Sequence, residues 1–485
     1  MRIPAAVDAR EDEWRELFAF ATSGEPRATL GLVSGRVRMG KSTLLRTLAE
    51  TTGGFYHRVT AVDYDGFLAD LTEAVRAHTG AGHPAFTDLG QAVEALVALG
   101  AEREIPVVLD DLAQVNAPHD WLLTSIVKAV DGPGGRSSRA RLLLGGSAVS
   151  ADGRPLLRDR SLREHAALDL RLTGHDHRRM AKWWGIEDPA IAFSVYAVLG
   201  GTPVHRDWVD ELPSGPGDMG PFTRRTVLRK GHPLFDAARR SLRHETGPFD
   251  LGFYRSISFN VAFGATRLDL LAKCVNRRPV DLRKHLSILT ASGLLDRDRD
   301  LLSPGAVHYR IADQLFNFFM GMMRVDMGRI QRGYILEYLW RYRAVRYSDF
   351  IVNPQFAQVC RTWAKNYAPE GFFGGGRVWV GHGTVDEPGI DVPRRAPVVV
   401  LGEPVDGRPE LRALGACRWD GPMDVADLAE LRRTAALVRD AGTHHVGAPA
   451  FHCFGGSGFT PALRTAADRG EVTLVDTAAL YSERT

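Results

Sequence analysis

At 485 residues, with 44% hydrophobic and 25% charged residues and a net charge of +3, the chain has the make-up of a soluble globular protein of roughly three or four domains. No apolar run approaches the ~20 residues that cross a bilayer, and Met1-Arg-Ile-Pro-Ala-Ala-Val-Asp-Ala-Arg10 has no secretory apolar core. A cytoplasmic protein with no membrane partner is therefore expected. The four cysteines, Cys274, Cys360, Cys417 and Cys453, are far apart with no C-x-x-C pair, so neither a disulfide framework nor a structural zinc site is indicated. Only seven of the 61 basic residues are lysine, so arginine richness reads as compositional bias and only local clusters count toward nucleic acid.

In chain order, Asp12–Thr22 reads as a helix and Leu30–Val33 as the first clear strand. Gly35-Arg-Val-Arg-Met-Gly40-Lys41-Ser42 follows and fits the phosphate-loop pattern at every fixed position. Thr43-Leu-Leu-Arg-Thr-Leu-Ala-Glu50 opens a helix behind it. Such a loop turns backbone N–H groups inward around phosphate oxygens at the positive end of a helix. Lys41 is expected on the β- and γ-phosphates, and the Ser42 hydroxyl on Mg²⁺. Met39, Gly40 and Thr43 complete the expected nucleotide contacts.

Phe55–Val59 reads as a second strand, and Leu68–His78 and Gln91–Glu102 as helices. The buried strand Ile105-Pro-Val-Val-Leu109 ends in Asp110-Asp111. Asp110 is expected to hold Mg²⁺ through water, and Asp111 to orient or deprotonate the attacking water. Leu142-Leu-Leu-Gly145 is another strand, with Ser147 at its tip, placed to sense the γ-phosphate or to serve as a turn residue. Arg158 and Arg160 are finger candidates or plain surface arginines. Short apolar strands alternating with helices predict a parallel, doubly wound sheet. In the helical stretch beyond, Gly201-Thr-Pro203 sets a rigid ring, Pro203, against base or ribose, or simply ends a helix.

Leu268, Leu271 and Val275, then Leu282, Leu286 and Leu289, keep helical spacing around the turn Asn276-Arg-Arg-Pro279. Gly293-Leu-Leu-Asp-Arg297 and His308-Tyr-Arg-Ile311 then read as a two-stranded wing. Arg277, Arg278, Arg283 and Lys284 could meet duplex-DNA phosphates. The competing reading packs this winged helix against the nucleotide domain or a protein partner, and Asp281, Asp296, Asp298 and Asp300 dilute its charge.

These motifs, in this order, resemble the archaeal-type ATPase family, a branch of the STAND and AAA+ class of phosphate-loop NTPases. Arg10-Glu-x-Glu13 resembles its arginine–acid box, Leu109-Asp-Asp-Leu112 its acidic strand end, Leu144–Ser150 its third strand motif and Gly200-Gly-Thr-Pro203 its lid. The resemblance implies ATP rather than GTP, places Arg10 near the adenine, and extends to a C-terminal restriction-endonuclease-like domain. In that domain the family has an acid on one strand and Glu-x-Lys on the next. Here Asp391 keeps the first acid, but Ala416 and Arg418 replace the Glu and Lys, and Phe356-Ala357 stands for Phe-Glu. One carboxylate is a poor Mg²⁺ site, and Arg does not deprotonate as Lys can. Glu403, or another acid elsewhere in the domain, is the candidate that would rescue activity. The spacing of His444, His445, His452 and Cys453 fits no common metal site.

The expected fold is thus α/β: a phosphate-loop core (1–171), helical lid (172–246), winged helix (247–313), helical connector (314–369) and inactive nuclease-like domain (370–485). The expected function is an ATP- and Mg²⁺-dependent switch, slow because Asp111 is a methylene shorter than the usual Glu. The alternatives are an ATP-regulated DNA-binding protein or nuclease, and a nucleotide-bound scaffold that never hydrolyses. Self-association is also compatible with this class.

Overall fold

The structure is a computed structural model; it describes residues 3–60, 63–80, 82, 84–112, 119–147, 157, 159–246, 250–332 and 343–482. Five strands open the chain: β1 (Thr29–Gly35), β2 (Phe55–Arg58), β3 (Ile105–Asp110), β4 (Ala140–Gly146) and β5 (Ala166–Leu172). They form one parallel sheet in the order β2-β3-β4-β1-β5. Every residue of β1, β3 and β4 is buried. That is why these strands read as unbroken apolar runs: helices cover both faces of the sheet. On one face, Leu44, Leu45 and Leu48 of the helix Lys41–Thr52 pack with Trp14, Leu17, Val108 and Leu143. On the other, Leu71, Leu96 and Ile126 pack with Leu32, Val107 and Leu142.

β5 is absent from the sequence reading and lies on the open side of β1. Its burial alternates along Ala-Ala-Leu-Asp-Leu-Arg-Leu, a half-buried edge pattern with period 2. Gly145 makes a close approach possible. A Cβ there would lie 2.3 Å from Leu45 Cδ1 and 2.8 Å from Asp110 Oδ1.

A second core runs from Met180 and Trp184 through Leu242, Leu271, Leu286 and Phe316 to Ile351. It joins the helices Pro189–Leu199, Pro233–Thr246, Leu251–Ala262, Leu268–Cys274 and Pro279–Ala291. The antiparallel hairpin of β6 (Leu295–Arg299) and β7 (Val307–Ile311) follows the last of these. Pro279 occupies the first turn of its helix, where its missing N–H costs nothing.

The C-terminal sheet has the order β12-β11-β10-β9-β8. Its strands are β8 (Trp379–Glu387), β9 (Ile390–Val405), β10 (Arg408–Arg418), β11 (Ala450–Gly455) and β12 (Thr473–Asp476). β8, β9 and β10 pair antiparallel; β10, β11 and β12 pair parallel. The helix Val425–Ala441 links β10 to β11, and Phe356, Val359 and Trp363 of the helix Asn353–Asn366 pack against Val398, Val400 and Phe454. Among the described residues no helix is long and apolar enough to cross a membrane.

Candidate nucleotide site

The loop Gly35–Ser42 leaves the carboxyl end of β1, between β4 and β5, where open parallel sheets place their ligands. Gly40 has φ +90°, a conformation available to glycine at little cost, and it caps the helix that starts at Lys41. Lys41 is 6% exposed. Its ammonium donates to the carbonyls of Gly35 and Arg36, both at 2.8 Å. Burial pulls its pKa down, partly offset by Glu245, Asp111 and Asp110. Ser42 is half-buried and Thr43 exposed at the head of the helix.

Two carboxylates from distant parts of the chain close on this loop. The Val37 backbone N–H donates to Glu245 Oε1 at 2.9 Å. Glu245 lies in the last turn of the helix Pro233–Thr246 and is 6% exposed. Burial pushes its pKa up to about 7, against the pull of Arg36 and Lys41. Arg36 pairs with Asp313, and its outer nitrogen reaches Thr202 Oγ1 at 3.5 Å. Asp313 also accepts from the Phe316 N–H at 2.5 Å, capping the helix Gln314–Phe318. Arg38 has φ +70° and lays its guanidinium 5.1 Å from the Trp208 ring centre. Neither Glu245 nor Asp313 carries a local sequence signal; each lies over 200 residues from its partner.

The acidic strand end is tied down. Asp110 is fully buried. One of its oxygens accepts from the Asp111 N–H and the other from the Tyr56 hydroxyl, each at 2.9 Å. Burial and the Asp110 charge push the Tyr56 pKa up to about 12. Asp111 has φ +60° and accepts from Arg58 Nε at 2.8 Å. Tyr56 and Arg58, both on β2, carry no motif of their own; strand pairing of β2 with β3 brings them here. Ser147 follows β4 directly, beside the Asp110 strand, and is half-buried.

Arg10 is 4% exposed and donates to Glu13 Oε1 and to the Thr173 carbonyl, both at 2.7 Å; Met39 Sδ is 3.9 Å away. Burial lowers its pKa. A cavity of about 310 Å³ beside it is lined by Gly35, Met39, Thr173, His175, Thr202 and Asp313, among others. Pro203 is half-buried and its carbonyl accepts from Trp183 Nε1 at 3.2 Å. Arg158 lies outside the described residues, and Arg160 is exposed and pairs with Glu164 at 2.7 Å.

On the helix Pro279–Ala291, Arg278 is engaged with Asp281 through two contacts of 2.9 and 3.1 Å. Arg277 lies 5.9 Å from the Phe253 ring centre. Lys284 is exposed. Arg283 lines a cleft of about 1000 Å³ with Arg163, Arg171, Arg267 and Arg297. In the C-terminal sheet, Ala416 lies opposite Cys453, and Arg418 pairs with Asp427 at 2.5 Å. The Asp391 side chain lies outside the described residues; Glu403 is exposed on the same strand, β9. His444 Nε2 contacts the Leu301 carbonyl at 2.8 Å, and His452 stacks on Phe372.

No family model and no curated protein matches this chain. Solved structures do. The Aeropyrum pernix ORC2 protein, in ADPNP and ADP complexes, is 15% identical, covers 68% of this chain and 96% of its own, and has a TM-score of 0.40. A mutant RuvB of Thermotoga maritima is 14% identical over 68% of this chain and 96% of its own, TM-score 0.32. The Aeropyrum pernix ORC1 protein, solved with DNA, is 16% identical over 66% of this chain and 92% of its own, TM-score 0.30.

Proposed function

We propose that this chain is a Mg²⁺-dependent ATPase of the AAA+/STAND kind that works as a slow switch. The observation that carries the reading is the Glu245 contact. A loop built to hold phosphate oxygens holds a carboxylate on its Val37 amide, close to Lys41 and Arg36. The carboxylate stands in for a phosphate oxygen. It belongs to the segment read as the lid, so filling the loop with nucleotide and freeing that helix become one event.

In this reading Lys41 exchanges the Gly35 and Arg36 carbonyls for phosphate oxygens, and Arg10 and Met39 border the base. Ser42, with Asp110 through water, would hold Mg²⁺, which supplies charge neutralisation between the phosphates. Asp111 orients water, and its pairing with Arg58 is consistent with slow turnover. Ser147 reports on the γ-phosphate. The segments 1–171, 172–246, 247–313, 314–369 and 370–485 are the units that move or dock. The last serves as a platform, because Ala416 offers no ligand and Arg418 is neutralised by Asp427. Nucleotide titration of wild type and Lys41→Ala tests the reading: binding is expected in the first and lost in the second. Equal affinity would remove the loop from the site.

A second reading, ATP-regulated DNA binding, is favoured by the arginine-lined cleft. Arg163 and Arg267 there are paired with Asp169 and Asp269. Arg171, Arg283 and Arg297 are exposed and would meet a phosphate backbone. Duplex-DNA affinity that falls steeply with salt supports this reading; salt-insensitive or undetectable binding removes it.

A further inference from the structure

We propose that Asp300, His308 and His382 bind one divalent transition-metal ion of the Zn²⁺ class, joining the β6–β7 hairpin to β8. Nothing in the nucleotide reading uses these residues. Among the described residues they are the set whose ligand atoms converge, all within 4.8 Å of one another. Asp300 and His382 come together through a parallel bridge, and the Leu301 N–H donates to the His382 carbonyl at 2.9 Å.

The carboxylate is fixed in advance. Asp300 Oδ1 accepts from the N–H groups of Leu302, Ser303 and Thr384 at 2.9, 2.9 and 3.0 Å. Oδ2 accepts from the Thr384 hydroxyl at 2.6 Å and keeps a lone pair. Facing Oδ2 at 3.2 Å is His308 Nε2, a buried nitrogen with no other hydrogen-bond partner. The other ring nitrogen, Nδ1, lies 3.1 Å from Thr266 Oγ1. If Nδ1 carries the proton and donates it to Thr266, Nε2 aims its lone pair at a carboxylate oxygen. Two acceptors face each other, and a cation between them removes the conflict.

The third ligand fits the same chemistry. His382 sits half-buried on β8, and a neutral imidazole there offers a lone pair. Its plane stands at 87° to the His308 ring, with centroids 5.0 Å apart. Ligand atoms about 2.1 Å from a tetrahedral ion lie roughly 3.4 Å apart. The Asp300–His308 pair already has that spacing, and no pair must close by more than about 1.5 Å. Two imidazoles and a carboxylate suit Zn²⁺, Co²⁺ or Ni²⁺ better than Mg²⁺ or Ca²⁺. Thr266 and Thr384 stand where hydrogen-bond partners orient metal ligands.

The test uses the full chain, stripped with chelator and free of nucleotide, titrated with Co²⁺. One equivalent bound, with the visible band of a four-coordinate ion, is expected. His382→Ala should abolish that band, and Thr266→Val should weaken affinity by roughly tenfold or more. Thr266→Val keeps all three ligands, so it separates ligand orientation from a folding defect, with circular dichroism as the check. No stoichiometric binding by folded wild type overturns the proposal, leaving Asp300 as a hydrogen-bonded knot. Binding unchanged in His382→Ala also overturns it, because the ion then sits elsewhere.

Discussion

Replacing Glu245 by glutamine tests the proposed link between the loop Gly35–Ser42 and the helix Pro233–Thr246. The amide keeps the shape of the carboxyl group and can still accept from Val37 N–H, but it removes the charge facing Lys41 and Arg36. A hydrogen bond to a charged group contributes about 1.5–3 kcal/mol, against about 0.5–1.5 for a neutral one. The carboxylate therefore competes with phosphate by roughly 1–2 kcal/mol more than the amide does. At pH 8, where most of the wild-type carboxyl group is ionised, nucleotide affinity of Glu245→Gln should exceed that of wild type by about 5- to 30-fold, read by titrating a fluorescent ADP analogue.

The same residue sets a pH signature. Its pKa moves from 4.5 to about 7 in the folded chain, first through burial, while Arg36, Lys41 and the Val37 N–H oppose the shift and Asp313 adds to it. The folded state thus holds a proton more tightly than the unfolded state. Stability contributed by this group is present below pH 4.5 and falls by roughly 3 kcal/mol as pH rises through about 7. Glu245→Gln should lack that slope, so its stability relative to wild type should climb between pH 5 and pH 8 in denaturant titrations. Unchanged or weaker ADP binding, together with parallel pH profiles, would refute the latch.

Further expectations concern the remaining elements. Asp111→Asn should keep nucleotide affinity while slowing phosphate release by about 100-fold or more; unchanged turnover would take Asp111 out of the water-orienting role. Gly145→Ala should lower stability by about 1–3 kcal/mol in urea melts, because its Cβ would meet Leu45 and Asp110; a neutral effect would mean the helix–strand contact yields easily. Arg171→Ala with Arg283→Ala should weaken duplex-DNA binding and reduce the salt slope by about 2. Arg278→Ala, whose side chain is already engaged by Asp281, should leave both unchanged; the reverse pattern would move the DNA surface to the helix entrance.

What the sequence disclosed is what is local. β1, the loop and the following helix occupy one continuous stretch, and the loop's glycines are required by backbone geometry at Gly40. The apolar runs of β3 and β4 announced strands buried on both faces. β5 was legible in principle: Ala-Ala-Leu-Asp-Leu-Arg-Leu alternates as an edge strand should, but it is short and lies among helical patterns. Glu245 and Asp313 were not legible. One looks like any acid near a helix end, the other like an ordinary helix cap, and only tertiary packing brings them to Val37 and Arg36. The same holds for Tyr56 and Arg58, which reach Asp110 and Asp111 by strand pairing. Arg277 and Arg278 show the converse: conspicuous in sequence, they are engaged by Phe253 and Asp281.

The most direct test of ATP-driven switching is phosphate release from ATP–Mg²⁺ by wild type, Lys41→Ala and Glu245→Gln, with and without duplex DNA. Slow release by wild type, none by Lys41→Ala and faster release by Glu245→Gln at subsaturating ATP are expected. Stimulation by DNA would favour the DNA-binding reading, and indifference to DNA a protein-directed switch. Release that is equal in wild type and Lys41→Ala, or absent from wild type under saturating ATP with and without DNA, would contradict the assignment of an ATPase.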